Sequence, residues 1–291
     1  MRLASTLIET IIVIAILAVL VALTLSGVQR VREAAARSSC QNNLRQQVLA
    51  LHLYSNENRH LPPACSYKDG KDPMPMMGWQ ARLLPYLEQR NLWEQAVAAY
   101  AIDRQFSHRP PHLVAAISVS SFSCPADGRT TASNVVLGRE IGLTSYLGVS
   151  GTQGFRQEGV LFLDSAVRLT DIIDGTSNTI AIGERPPSAD LHFGWWYAGA
   201  GQLGNGDADM HLGVRGLNER VAGPSCPVGP YHFAAGRVRE QCDMFHFWSL
   251  HPGGANFAFA DGSVRFLSYS ADSVMPALST RAGGETVSLP D

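Results

Sequence analysis

The chain has 291 residues, 45% of them hydrophobic, and 23 Lys plus Arg against 25 Asp plus Glu give a formal net charge of -2. That length buries a full core even after one membrane segment is set aside, as one elongated domain or two small ones. The near-neutral balance gives no electrostatic footprint for nucleic acid, which usually needs a basic face, so no nucleic-acid partner is expected.

Thr6-Leu7-Ile8-Glu9 runs into an almost unbroken apolar stretch over 11–25, which reads as a membrane span extended by Leu7, Ile8, Thr10 and Ser26. A carboxylate near hydrocarbon costs about 2.5–3.5 kcal/mol, so Glu9 is expected to have a partner or a task. The alternative is a secretory signal peptide cut near Ser26-Gly27 or within Ala34-Ala35-Ala36. Val28, Val31 and Ala35, then Leu44, Val48 and Leu51, recur at helical spacing, and no proline intervenes before Pro62. A single helix over 6–56 follows, on the order of 75 Å long, its first half in lipid and its second packed on a body. The chain divides into a signal and span at 1–27, a helical stalk at 28–60 and a globular region at 61–291.

Glycines and prolines crowd the region after Pro62, which points to a loop-rich body with short strands. A second helix is expected over 79–100, with Leu83, Leu87, Leu92 and Trp93 on one side and Pro85 in its first turns. Residues 104–121 read as a surface excursion ending in a strand, and 145–149, 160–163 and 179–182 as short strands. Thr170 is placed to cap a turn through Asp171-Ile172-Ile173 that Gly175 ends. Trp195, Trp196 and Tyr197 form a cluster that either packs in the core or stacks on sugar rings. Near the end, Asp261-Gly262 between Asn256-Phe257-Ala258-Phe259-Ala260 and Ser263-Val264-Arg265-Phe266-Leu267 predicts a type I′ hairpin. That register pairs Phe259 with Val264 and Phe257 with Phe266 on one face. His251 precedes the first strand and is expected to be a structural loop histidine. The fold class is α+β, a long N-terminal helix on a mostly antiparallel sheet.

Five cysteines are present, at positions 40, 65, 124, 226 and 242. Cys226 with Cys242 is the leading disulfide, because the two flank a Gly/Pro-rich excursion; Cys65 with Cys124 is a second pairing, and unbridged buried thiols are the alternative. No Cys-x-x-Cys, His-Glu-x-x-His, Gly-x-Ser-x-Gly, phosphate-binding loop or EF-hand pattern occurs, so neither an enzyme nor a cofactor is expected. Asp207 and Asp209, in a Gly-rich loop, supply oxygen ligands for calcium without a full ligand set.

The N-terminal tract resembles the type IV prepilin signal, in which a basic leader ends in Gly and the mature chain begins Phe-Thr-Leu-Ile-Glu. Ala4 stands at the Gly position and Ser5 at the Phe position, while Thr6, Leu7, Ile8 and Glu9 match. The resemblance continues through Arg32-Glu33-Ala34-Ala35-Ala36-Arg37, Cys40-Gln41-Asn42-Asn43-Leu44, Leu61-Pro62-Pro63-Ala64 and Leu84-Pro85-Tyr86-Leu87-Glu88-Gln89. It ends with Ser123-Cys124-Pro125-Ala126-Asp127, Asp174-Gly175-Thr176-Ser177-Asn178-Thr179 and the H-x9-DG motif, His251 with Asp261-Gly262. Together these resemble a large bacterial family of prepilin-like proteins, the DUF1559 family. The resemblance implies cleavage between Ala4 and Ser5 by a prepilin peptidase that also methylates the new amine. It implies an inner-membrane protein with a cytoplasmic leader, an extracytoplasmic body and other pilin-like subunits as partners. Arg30, Arg32 and Arg37 after the span would by charge counting keep the body inside, but long downstream domains translocate largely regardless of charge. The expected function is a pseudopilin-like structural subunit of a type II secretion or type IV pilus-like assembly, with Glu9 serving assembly. The alternative is a monomeric anchored module that binds envelope polymer or glycan.

Overall fold

A computed structural model describes residues 7–136, 138–219 and 226–285. Helix α1 (Leu7–Asn58) is continuous over 52 residues, about 78 Å at 1.5 Å per residue. It ends where Arg59 turns left-handed (φ 68°) ahead of Pro62 and Pro63, neither of which can donate to a further turn. Five strands form the main sheet: β3 (Tyr146–Val149), β4 (Ile180–Glu184), β5 (His211–Leu212), β6 (Gly254–Phe259) and β7 (Val264–Ser268). Their order is β5-β3-β4-β6-β7, antiparallel throughout except for the β3–β5 pair, while β1 (Asn134–Val136) and β2 (Arg139–Ile141) make a separate hairpin. The molecule is therefore α+β, as expected.

The sheet is covered on both faces. On one side Leu44, Val48 and Leu51 of α1 pack with Tyr146, Ile182, Ala258 and Ala260. On the other, Phe193, Phe233, Phe245 and Phe247 pack with Leu147, Ile180, Phe257 and Phe259. The ladder slips between Ile180 and Ile182, so these two residues serve opposite faces in the manner of a β-bulge. Amides on the docked face of α1 bond to the body: Asn43 donates to the Ser123 carbonyl (2.8 Å) and buried Gln47 to the Ser121 carbonyl (2.8 Å).

Several expectations are corrected. The helix over 79–100 is two, α2 (Trp79–Leu83) and α3 (Arg90–Ile102), separated by a 3-10 turn at Leu84–Tyr86. Pro85 lacks the N–H that would continue the first, and Glu88 (φ 58°) reverses the chain before the second. Residues 104–121 carry no strand, and Val114, Ala115 and Val119 are buried with Phe122 against Trp196 and Tyr197. Residues 160–163 are buried at the front but form no strand: backbone bonds tie Val160 and Leu161 to Val149 of the sheet, and an isolated bridge pairs Leu163 with Cys65. Thr170 sits inside its turn, exposed, and Asp171 closes it by accepting from the Arg168 N–H (2.9 Å).

The hairpin is also different. Phe259 N–H donates to Ser263 O (2.9 Å) and Gly262 N–H to Phe259 O (3.0 Å), with Gly262 at φ 93°. The loop is thus the three residues Ala260-Asp261-Gly262, a type I turn with glycine at the left-handed bulge position. Val264 pairs with Ala258, Arg265 with Phe257 and Phe266 with Asn256. One extra loop residue moves the partner strand by one and reverses its faces: Phe257 and Phe259 point to the phenylalanine layer, Val264 and Phe266 toward α1. The last helix, α4 (Met275–Ser279), packs beneath β4 as Met275 and Leu278 join the same layer.

Leu44 is fully buried whereas Leu49, little more than one turn on, is 60% exposed. Leu44→Ala is expected to destabilise the full chain in detergent micelles by about 2–5 kcal/mol in denaturant unfolding. Leu49→Ala should stay within about 0.5 kcal/mol of the parent. Equal losses at the two positions would overturn the assigned docking face.

Candidate functional site

The first candidate region is the free half of α1. From Ile11 to Leu25 the large apolar side chains are 52–65% exposed, with no side of the helix covered. Among the described residues this is the one helix long and apolar enough to cross a membrane. Thr24, the polar side chain within that stretch, donates its hydroxyl back to Leu20 O (2.9 Å) and Val21 O (3.0 Å), leaving little unsatisfied polarity on the surface. Glu9 lies in the first turn, exposed, next to the apolar run. The expected processing residues Ala4 and Ser5 lie outside the described residues.

The second region is a buried cluster that gathers four distant pieces of chain. Cys40 extends the Leu44–Val48–Leu51 stripe of α1 back by one turn, and it is disulfide-bonded to Cys124, which follows the turn at Ser120–Phe122. The bridge spans 84 residues, which on chain-entropy grounds removes about 4–5 kcal/mol of freedom from the unfolded chain. Glu184 ends β4, and its carboxylate accepts from the Asn256 backbone N–H (2.7 Å) and side-chain amide (3.0 Å). Asn256 in turn accepts from Gln41 on α1 (3.0 Å). His251 is held by its N–H to Ser249 Oγ (3.0 Å), and its Nε2 lies 3.5 Å from Cys124 Sγ and 3.6 Å from Glu184 Oε1. His251 Nδ1 is buried with no hydrogen-bond partner, an omission that usually costs about 1–3 kcal/mol.

The structure therefore corrects one pairing. Cys124 is joined to Cys40, and Cys65 is a buried free thiol; Cys226 and Cys242 form the second bridge. Sequence reasoning passed over Cys40, Glu184 and Asn256. The available signals were the position of Cys40 on the apolar stripe and a lone amide, Asn256, in an otherwise apolar strand. The two halves of the H-x9-DG motif do not meet. His251 lies before β6 in the cluster, while Asp261 and Gly262 form the hairpin tip after it, where Asp261 Oδ1 accepts from Ser263 N–H (2.8 Å).

The aromatic trio is packing. Trp196 and Tyr197 are buried, Trp196 Nε1 donates to Ile117 O (2.8 Å), Tyr197 bonds His112 Nδ1 (2.7 Å), and Trp195 Nε1 donates to Leu191 O (3.0 Å). No open aromatic face is left for sugar on Trp196 or Tyr197. Asp207 and Asp209 are buried as well, near the buried Arg185; Asp207 Oδ2 accepts from Gln202, and Asp209 Oδ1 accepts from the N–H groups of Gly194 and Trp195. Among the described residues they belong to no group of three or more ligand-type side chains close enough to share an ion.

Fold and site define an α+β body carried on a helix long enough and apolar enough to span a bilayer, with a cysteine–histidine–carboxylate cluster where the helix meets the sheet. The chain belongs to the DUF1559 family: the family model, described as a protein of unknown function (DUF1559), matches residues 29–273. No curated protein and no solved structure matches the chain.

Burial pushes Asp207 up to about 7, with Glu219 adding repulsion, and pushes neighbouring His211 down to about 4. Between its unfolded value of 3.8 and about 7, Asp207 holds a proton in the folded chain that the unfolded chain releases. Its stabilising contribution is thus full below about pH 4 and lost as pH rises through 7. His211 works oppositely, losing stability as pH falls from 6.5 toward 4, and does so in parent and variant alike. Asp207→Asn should therefore gain on the parent by on the order of 1 kcal/mol per pH unit across pH 4–7 in denaturant unfolding. A difference independent of pH would refute the assignment.

Proposed function

We propose that this protein is a pseudopilin-like structural subunit, held in the inner membrane by the first half of α1 with its body on the extracytoplasmic side. The observation that carries the reading is the exposed apolar surface over 11–25 on a helix continuous with the folded core. That surface far exceeds the few hundred Å² a soluble monomer tolerates, and it is apolar all round, which suits lipid or a bundle of like helices. Membership of the DUF1559 family and the Thr6-Leu7-Ile8-Glu9 tract support the prepilin route. A prepilin peptidase cuts between Ala4 and Ser5 and methylates the Ser5 amine. Subunits of a type II secretion or type IV pilus-like assembly then associate through α1, with the Glu9 carboxylate meeting the N-terminal amine of a neighbour. Both disulfides accord with an oxidising compartment. The anchored glycan-binding reading loses its main support with the burial of Trp196 and Tyr197.

Intact mass measurement of the protein from native membranes is expected to give a chain beginning at Ser5 and carrying one added methyl group. A start near Gly27 or Arg37 would mark a conventional signal peptide and end this reading. Glu9→Ala should leave the body folded and membrane-bound yet abolish crosslinked assemblies, because breaking a buried ion pair costs about 3–5 kcal/mol. Assemblies of parental size in that variant would remove the role given to Glu9.

A further inference from the structure

The geometry points to a second state of the buried cluster: we propose that, when the Cys40–Cys124 bridge is reduced, Cys40, Cys124, His251 and Glu184 bind one zinc ion. The ligand atoms of these four buried residues all lie within 4.8 Å of one another. A tetrahedral zinc with sulfur at 2.3 Å and nitrogen or oxygen near 2.0 Å sets its ligands about 3.3–3.8 Å apart. Two edges already have that length, His251 Nε2 to Cys124 Sγ at 3.5 Å and His251 Nε2 to Glu184 Oε1 at 3.6 Å. The two sulfurs must part to complete the tetrahedron.

Independent features favour a ligand. His251 is 3% exposed, and the nearest partners of its Nε2 are a disulfide sulfur at 3.5 Å, a weak acceptor, and a carboxylate oxygen at 3.6 Å. Coordination gives that nitrogen lone pair a partner. Glu184 is oriented by Asn256, and Asn256 by Gln41, the outer support that metal ligands ordinarily have. A hollow of about 330 Å³ lined by Ser39, Ser123 and Pro125, the sequence neighbours of the two cysteines, lies beside the cluster. Two thiolates and one imidazole with a carboxylate select zinc over calcium or magnesium, which take oxygen ligands.

The balance is simple. A dithiol reductant passes two electrons to the Cys40–Cys124 bond and is itself oxidised to a disulfide. The two released sulfurs bind zinc as thiolates, and the reductant's two thiol protons go to solvent. The bridge and the zinc site are alternative fastenings of α1 to the sheet.

Cobalt(II) substitutes for zinc and reports thiolate ligation by its charge-transfer absorption and tetrahedral geometry by its visible bands. The full chain in detergent micelles, reduced with a phosphine, should take up one cobalt with both signatures and release it to one zinc; the oxidised chain should take up none. His251→Ala should weaken cobalt binding by at least about tenfold, and Cys40→Ser with Cys124→Ser, which retains Cys65, Cys226 and Cys242, should lose the charge-transfer band. Circular dichroism monitors folding of each variant, and if His251→Ala does not fold, the isosteric Glu184→Gln replaces it, with weakened binding expected. The proposal fails if the reduced parent binds no cobalt, if the oxidised chain binds equally, or if these variants bind like the parent.

Discussion

An α-helix that projects side chains in every direction is satisfied by one kind of surrounding at a time, and α1 has to satisfy two. Over 11–25 it is apolar all round, whereas beyond Cys40 one stripe is buried and the opposite side, at Leu49 and Leu53, is open. No break in the backbone separates the two regimes, because α1 runs unbroken from Leu7 to Asn58. The change is therefore made by side chains alone, and the rest of the molecule is arranged to fix where it happens.

That place is the turn around Cys40. The disulfide to Cys124, the Gln41–Asn256–Glu184 chain and the Asn43 and Gln47 bonds to the Ser121–Ser123 backbone all fall within two turns of helix. Each fixes rotation as well as position, since apolar packing by itself tolerates sliding and directional bonds do not. Below them lie two small residues, Ala258 of β6 and Ala260 of the loop that follows it, in one cluster with Leu44 and Val48.

Much of this was legible in sequence, for identifiable reasons. The span and stalk follow from uninterrupted helical spacing before Pro62, and β3, β4 and the last hairpin follow from short apolar runs between turn residues. What could not be read depended on one residue or on distance in space. Asp261-Gly262 suits a two-residue loop as well as the end of a three-residue one, and Ala260 decides between them by leaving the strand. The Cys40–Cys124 pairing joins residues 84 apart, and no local pattern encodes such a contact. Trp196 and Tyr197 looked available because tryptophan and tyrosine carry polar tips; Ile117 O and His112 satisfy those tips inside the core.

The unbroken rod has a mechanical consequence. Because each helical residue advances about 1.5 Å and turns about 100°, the phase of the apolar half dictates the heading of the body as well as its height above the membrane. Removing one residue between Val28 and Ser39 would bring the body nearer the lipid by about 1.5 Å and swing it through roughly a quarter turn. The number of residues in that stretch is thus a compass setting, built into chain length.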